Sequence, residues 1–265
     1  MRPRRRGLCP GPAGKGETHA GKTLESQCFS HRCPRQDQTR RSKARLFPMT
    51  PQAKLLPVDL EHLPRAAAFR QFTQAVPCSF ALTAPIDVTG AVRDHRETGA
   101  SFYALMLHAI LTAGNRLECF RWDWIDRENK VPGIWTGVGA SFTVFHEETE
   151  TFSTHWLSYE KDRAAFLAHY EETVRGGGNL DEPIPPNAVP VSMIPWVTYT
   201  GFQVNLPDSL YLRPVVTMGR YVQDKDRFVL PLTIQMHHAV GDGRHVAQAV
   251  SAIESVTGGR RTGAE

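Results

Sequence analysis

Between positions 237 and 243 the chain reads His237-His238-Ala239-Val240-Gly241-Asp242-Gly243, which gathers residue types suited to acid–base chemistry. A neutral imidazole on a rigid corner can take a proton near pH 7, the requirement for a general base. Adjacent residues at the end of a strand point to opposite faces, so at most one of the two histidines faces a given cleft. Gly241 and Gly243 permit φ > 0 and close backbone approach, as a tight turn into a helix needs. Asp242 stands before that helix, where free N–H groups stabilise a carboxylate. Metal binding fits poorly, because the histidines diverge and no Cys, His or carboxylate lies at zinc-ligand spacing. The pattern by itself leaves both catalysis and satisfied core histidines open.

The elements that must carry this stretch can be read from periodicity. Phe228–Met236 alternates Leu230, Leu232, Ile234 and Met236 against Val229, Pro231, Thr233 and Gln235, a strand period of two. Pro231 removes a ladder donor and suggests an edge or a bulge. A final helix is expected from about Arg244 to Val256, with Val246, Val250 and Ile253 inward and Gly258–Gly259 ending it. The clearest helix follows Ser101: Phe102, Leu105, Met106, Ala109, Ile110, Ala113 and Leu117 keep the i, i+3, i+4, i+7 rhythm. Shorter helices are expected over Leu63–Phe72, starting at Pro64, and over Tyr159–Val174, stopped by Gly176–Gly178. Strands are expected from Cys78 until Pro85 ends the run, and near Gly133–Trp135, Ser141–Phe145, Val197–Leu206 and Pro214–Tyr221. The sum is mixed α/β, one sheet covered by helices.

Charge separates the chain into two parts. Residues 1–48 hold 12 Lys or Arg against 3 Asp or Glu, whereas the remainder holds 19 against 24. The first part is rich in Arg, Gly, Pro, Gln and Ser without apolar periodicity, and is expected to be a disordered basic extension. Met49 is expected to be the natural start, with the extension coming from an upstream reading frame and residues 49–265 forming one domain. An acidic body gives no electrostatic reason to bind nucleic acid. There is no apolar run of about 18 residues and no apolar stretch after the early arginines, so the default expectation is a cytoplasmic protein off the membrane. Cys28-Phe-Ser-His-Arg-Cys33 makes a poor metal site, and Cys78 and Cys119 read as reduced thiols.

The stretch at 237–243 resembles the HHxxxDG signature of chloramphenicol acetyltransferases and of the acyltransferase core of 2-oxo acid dehydrogenase complexes. Further blocks are similar to the first family: Phe142-Thr-Val-Phe-His-Glu-Glu-Thr-Glu-Thr-Phe-Ser153, Ser192-Met-Ile-Pro-Trp196, Pro214-Val-Val-Thr-Met-Gly-Arg-Tyr221 and Leu230-Pro-Leu-Thr-Ile-Gln-Met-His-His-Ala-Val240. The likeness runs in one order from about Arg65 to Ile253. It implies a two-layer α/β sandwich that assembles as a homotrimer with sites at subunit interfaces. It implies acetyl transfer from acetyl-CoA to the primary hydroxyl of chloramphenicol, with no metal. His238 is then the base, its ring held as one tautomer by its own backbone carbonyl. Ser192 is the oxyanion donor, and Thr217 acts through a bound water. Asp242 pairs with Arg65 in a poorly solvated ion pair that pins the corner. Tyr221 stacks on the adenine of CoA, and Phe72, Val76, Cys78, Phe80, Phe152 and Val204 line the drug pocket.

Two departures from the family pattern stand out. Gly241 replaces a usual Cys, and the loop Asn179–Val189 is shorter and richer in proline. Other readings are bland: His146-Glu147-Glu148 and Glu150 form a solvated loop, Gly137-Val-Gly139 a turn, and no Gly-x-Ser-x-Gly elbow exists. The rival functions are acyl transfer to another hydroxylated acceptor and a non-catalytic trimer that binds drug or acyl-CoA. Intact His238 and Ser192 argue against the last, since binding needs neither a base nor an oxyanion donor.

Overall fold

A computed structural model describes residues 53–176 and 183–258. Residues 1–48, Met49 and positions 179–182 of the 179–189 loop therefore lie outside the described residues. Chain order is β1 (Leu55–Pro57), α1 (Ala66–Arg70), β2 (Ser79–Asp87), α2 (Thr89–Thr98), α3 (Phe102–Arg116), β3 (Trp122–Asp126), β4 (Val131–Trp135) and β5 (Gly139–His146). There follow β6 (Thr151–Leu157), α4 (Arg163–Arg175), β7 (Ala188–Met193), β8 (Val215–Met218), β9 (Val222–Asp224), β10 (Arg227–His237) and α5 (Gly243–Thr257). The main sheet is mixed, in the order β2-β10-β8-β7-β5-β6, and a small antiparallel sheet runs β1-β4-β3. The α/β expectation, a mixed sheet with covering helices, holds.

Helix α3 forms because its apolar residues run almost all round it, and twelve of its residues are buried between sheet and outer helices. Ser101 caps it by accepting from the Ala104 N–H. In β10 the even positions Leu230, Leu232, Ile234 and Met236 join the helices in the core. The odd positions Thr233, Gln235 and His237 face the other way and are buried too. What covers them is the irregular segment 194–214. Both ends of the Gln235 amide bond the Val204 main chain, at 3.0 and 2.9 Å, and Tyr199 donates to the Thr217 carbonyl at 2.8 Å.

That arrangement corrects the expected strand at Val197–Leu206. Exposure there alternates as in a strand, but the Val204 main chain bonds the Gln235 side chain of β10 instead of a neighbouring ladder. Pro85 does not end β2 either. It sits opposite Pro231 in the β2–β10 ladder, a pairing that only a non-hydrogen-bonded site tolerates, because there neither residue donates to the other. Pro231 also falls in the gap between the β9 pairing (Arg227–Val229) and the β8 pairing (Leu232–Gln235), so an interior strand accepts it. Helix α1 is shorter than expected, beginning at Ala66 and passing into a π-turn over Gln71–Ala75. Helix α4 starts at Arg163 because Asp162 caps it, four residues after the expected Tyr159. Helix α2 and strands β1, β3, β6, β7 and β9 are not among the elements expected from the sequence. Among the described residues no helix is long and apolar enough to cross a membrane.

Candidate active site

β10 ends at His237, and three residues of turn lead through Gly241 to Asp242, the N-cap of α5. The two histidines divide as the strand parity requires. His237 is buried, with Nε2 at 2.9 Å from the Ser209 carbonyl and Nδ1 accepting the Ala239 N–H at 3.2 Å. Both ring nitrogens are thus committed, and burial lowers the pKa of this imidazole. His238 is only half-buried. Its main-chain N–H donates to the Cys78 carbonyl at 3.0 Å, and its ring stacks on Phe72 at 4.1 Å with Phe80 edge-on at 5.3 Å.

The tautomer of His238 is set by a partner other than the expected one. Nδ1 lies 3.0 Å from the carbonyl of Gly241, which can only accept, so the proton sits on Nδ1. The carbonyl of His238 itself takes a hydrogen bond from Arg65 Nη2 at 3.1 Å. The consequence is the same: Nε2 keeps a lone pair and makes no hydrogen bond among the described residues. A ring clamped between an aromatic face and a carbonyl, with one basic nitrogen left over, can act as a general base.

Arg65 holds the corner at three points. Besides His238 it reaches the Ala239 carbonyl at 3.3 Å and Asp242 Oδ2 at 3.1 Å. The Asp242 side chain is 40% exposed and that of Arg65 23%, which corrects the expectation of a poorly solvated pair. The Asp242 carboxyl is held well below the usual carboxylate range, first by His245, whose Nδ1 is 2.8 Å from Oδ1, and then by Arg65. His245 was missed in the sequence, although Asp-x-x-His opening a helix has the spacing of a capping box. Gly241 and Gly243 do not use positive φ; among the described glycines only Gly99 and Gly258 do. A Cβ at Gly241 would instead overlap the Met236 sulfur, so Gly241 makes room for a large neighbour.

Ser192 lies elsewhere. Its register partner is Thr217 on β8, which pairs with Thr233 on β10, which pairs with Thr83 on β2. These four hydroxyl residues form one row on the sheet face away from the helices, and Thr83 and Thr233 are bonded at 2.7 Å. His238, just past the end of β10, is five residues further along the chain than Thr233, and Ser192 is two strands away. Strand spacing then puts Ser192 and His238 of one chain about 20 Å apart. The remaining predicted residues divide between these ends. Phe72, Cys78 and Phe80 touch or flank His238, and Val76 is exposed beside them. Phe152 is exposed on β6 opposite Phe145, whose ring meets Trp196 at 4.7 Å. Val204 covers Gln235. Tyr221 packs between Phe102 at 5.0 Å and Phe228 at 5.7 Å. The structure therefore does not bring all predicted site residues together within one chain. Both body thiols are unpaired as cysteines, and burial pushes that of Cys119 up to about 12.

Comparison with known proteins supplies the context. The family model for chloramphenicol acetyltransferase matches residues 54–254. A chloramphenicol acetyltransferase of Clostridium perfringens is 36% identical over 197 residues, 72% of this chain and 89% of its own. One from Vibrio anguillarum is 36% identical over 206 residues, 75% and 92% of the two chains. Chloramphenicol acetyltransferase 3 of Escherichia coli is 33% identical over 204 residues, 75% and 94%. A solved chloramphenicol acetyltransferase superposes with a TM-score of 0.68 at 19% identity, over 77% of this chain and 99% of the other. The cubic core of the pyruvate dehydrogenase multienzyme complex shares the fold at a TM-score of 0.55 and 13% identity, over 72% and 86%. Matched in sequence from the first small strand to the last helix, the chain belongs to the chloramphenicol acetyltransferase family.

Proposed function

We propose that this protein transfers the acetyl group of acetyl-CoA to the primary hydroxyl of chloramphenicol, inactivating the antibiotic and conferring resistance. The observation that carries the reading is the His238 ring: Nδ1 spends its proton on the Gly241 carbonyl and Nε2 is left basic. Nε2 takes the hydroxyl proton as the oxygen attacks the thioester carbonyl. Ser192 donates a hydrogen bond to the resulting oxyanion, a contribution typically worth about 3 kcal/mol of barrier. Collapse breaks the C–S bond, and the proton held on His238 accompanies the departing thiolate. Thr217 shares the Ser192 row and acts through a bound water. Tyr221 holds the adenine, and Phe72, Val76, Cys78, Phe80, Phe152 and Val204 supply apolar walls. Residues 49–265 form the acetyltransferase domain, working in the cytoplasm where acetyl-CoA is made.

Sites are shared between copies of the chain, assembled as a homotrimer. Two observations support this. His238 and Ser192 are too far apart within one chain to act on one substrate. Phe145, Phe152, Trp196 and Val197 are exposed together near the Ser192 end, an apolar surface that a second copy would cover. The test is thiol release from acetyl-CoA with and without chloramphenicol, first on the wild type. It is then repeated on His238→Ala chains, on Ser192→Ala chains, and on the two unfolded and refolded together. Drug-dependent release that mixing restores supports shared sites. Failure of mixing to restore it places base and oxyanion donor in one chain, and release with other alcohols but not the drug rejects chloramphenicol.

A further inference from the structure

His245 is the third residue of α5, beside the corner that holds His238. The helix fixes it there: the Val246 N–H donates to the Asp242 carbonyl at 3.1 Å, and Val246, Ala249 and Ile253 are buried in the core. The imidazole Nδ1 lies 2.8 Å from Asp242 Oδ1 and 3.3 Å from the Asp242 main-chain nitrogen. One nitrogen cannot serve both contacts, since the first needs a proton on Nδ1 and the second a lone pair. The Asp242 carboxyl is held ionised, so it brings no proton of its own. The shorter, charge-assisted contact therefore prevails, and Nδ1–H donates to Oδ1.

This donation divides the carboxylate. Oδ1 takes His245 and the Arg244 N–H at 3.0 Å, while Oδ2 faces Arg65 Nη1 at 3.1 Å. The other nitrogens of that guanidinium reach the carbonyls of His238 and Ala239. Arginine and a carboxylate left to themselves favour a bidentate pair, two parallel bonds between fork and both oxygens. A guanidinium turned to take both oxygens would have to leave the turn carbonyls. With Oδ1 occupied, Arg65 has one oxygen to bind and keeps its remaining donors on the turn. His245 also packs against that turn, because a Cβ on Gly241 would come within 3.4 Å of the His245 Cβ. Gly241 is the residue whose carbonyl holds the His238 ring.

We infer that His245 is a positioning residue for acetyl transfer: it occupies one oxygen of Asp242 and so keeps Arg65 on the turn that orders the His238 ring. The inference rests on the reading of His238 as the base. The test compares the full chain with His245→Gln, His245→Leu and His245→Glu. It measures kcat, KM for both substrates, melting temperature, and the imidazole nitrogen resonances of His238 without substrate, assigned against His238→Ala. Gln keeps an N–H donor and should hold kcat within about threefold. Leu removes the donor, and Glu sets a second carboxylate beside Oδ1 that draws Arg65 away. Both should lower kcat about tenfold or more at unchanged KM. Both should also move the His238 resonances from one Nδ1-protonated form toward the average of two tautomers. A capping role alone gives the opposite result for Glu, a residue that capping boxes favour at this position. Wild-type kcat and resonances in His245→Glu, or a loss in His245→Gln as large as in His245→Leu, overturn the inference. If the wild type transfers no acetyl group, the acetyl-transfer reading fails, and the resonances alone decide whether His245 orders His238. Should His245→Leu not fold, the contrast between Gln and Glu still decides.

Discussion

At the His238 end of the main sheet the chain closes on itself, with Arg65 holding two turn carbonyls and Asp242 while Gly241 fixes the ring. At the Ser192 end β7 and β8 finish just after Ser192 and Thr217, beside exposed aromatic rings. One region orders the His238 imidazole by hydrogen bonds within the chain; the other leaves large apolar side chains exposed. On the proposed reading, the cost of positioning the base is met within each folded chain, whereas the enclosure of substrate would depend on a second copy. Breaking either region should therefore fail in a different way.

The largest effect is expected where the chemistry is. His238→Ala should lower turnover by about 10⁴-fold, the upper range for loss of a general base, with CoA affinity changed no more than a few-fold. Ser192→Ala should lower turnover less, by about 10²-fold, because one oxyanion donor among other interactions is lost. Steady-state rates beside equilibrium CoA titration separate the two. Collapse of CoA binding in step with turnover for His238→Ala would mean that the corner holds cosubstrate instead of moving a proton.

Acid unfolding should come next in size. His108, His155 and His237 are buried, and desolvation is the first cause of the lowered pKa of each. Their folded pKa lies below the unfolded value near 6.5, so the unfolded chain binds more protons as pH drops through that value. Stability is then full above about pH 6.5 and declines below it, by at most about 1.4 kcal/mol per pH unit for each group. Asp242 works in a separate window. Its folded pKa is depressed, so its contribution is present above about pH 4 and lost only as pH falls further. Urea midpoints measured from pH 7.5 to 5 test the histidine window, and a flat profile there would contradict it.

Asp242→Asn should cost about 1 kcal/mol, since Asn still caps α5 but no longer pairs as an anion with Arg65 and His245. The figure is lower than for a buried pair because both side chains reach solvent. Turnover should fall with it, as the Arg65 clamp loosens around the His238 carbonyl. A variant with unchanged melting temperature and reduced turnover would assign Asp242 to the chemistry instead of the scaffold.

How much of this was legible in the sequence depends on where each hydrogen bond goes. β10 and α3 were readable because their apolar periodicity and their partners agree. Ser101 and Asp242 were readable as caps because capping is local. Segment 197–206 misled because its alternation is real but its main chain answers to Gln235, which lies 31 positions from Val204. Pro85 misled for the reverse reason: a strand ends at proline unless its partner needs no donor there, and the partner is Pro231. His238 was identified by family likeness, but the carbonyl that fixes its ring was not, since that depends on the path of the turn. The separation of Ser192 from His238 is a matter of register, which no local motif carries.

The smallest expected effect probes why the corner has glycine where the family usually has cysteine. Gly241 has no positive φ, so a side chain there meets no backbone penalty. What it meets is the Met236 sulfur, the end of a flexible side chain that can turn aside. Gly241→Ala should thus cost only about 1 kcal/mol, the low end for overpacking. Met236→Val vacates the space, so the double variant Met236→Val/Gly241→Ala should be more stable than the two single effects added together. Urea unfolding of the four proteins measures the coupling. Strict additivity would show that Gly241 is not there to accommodate Met236.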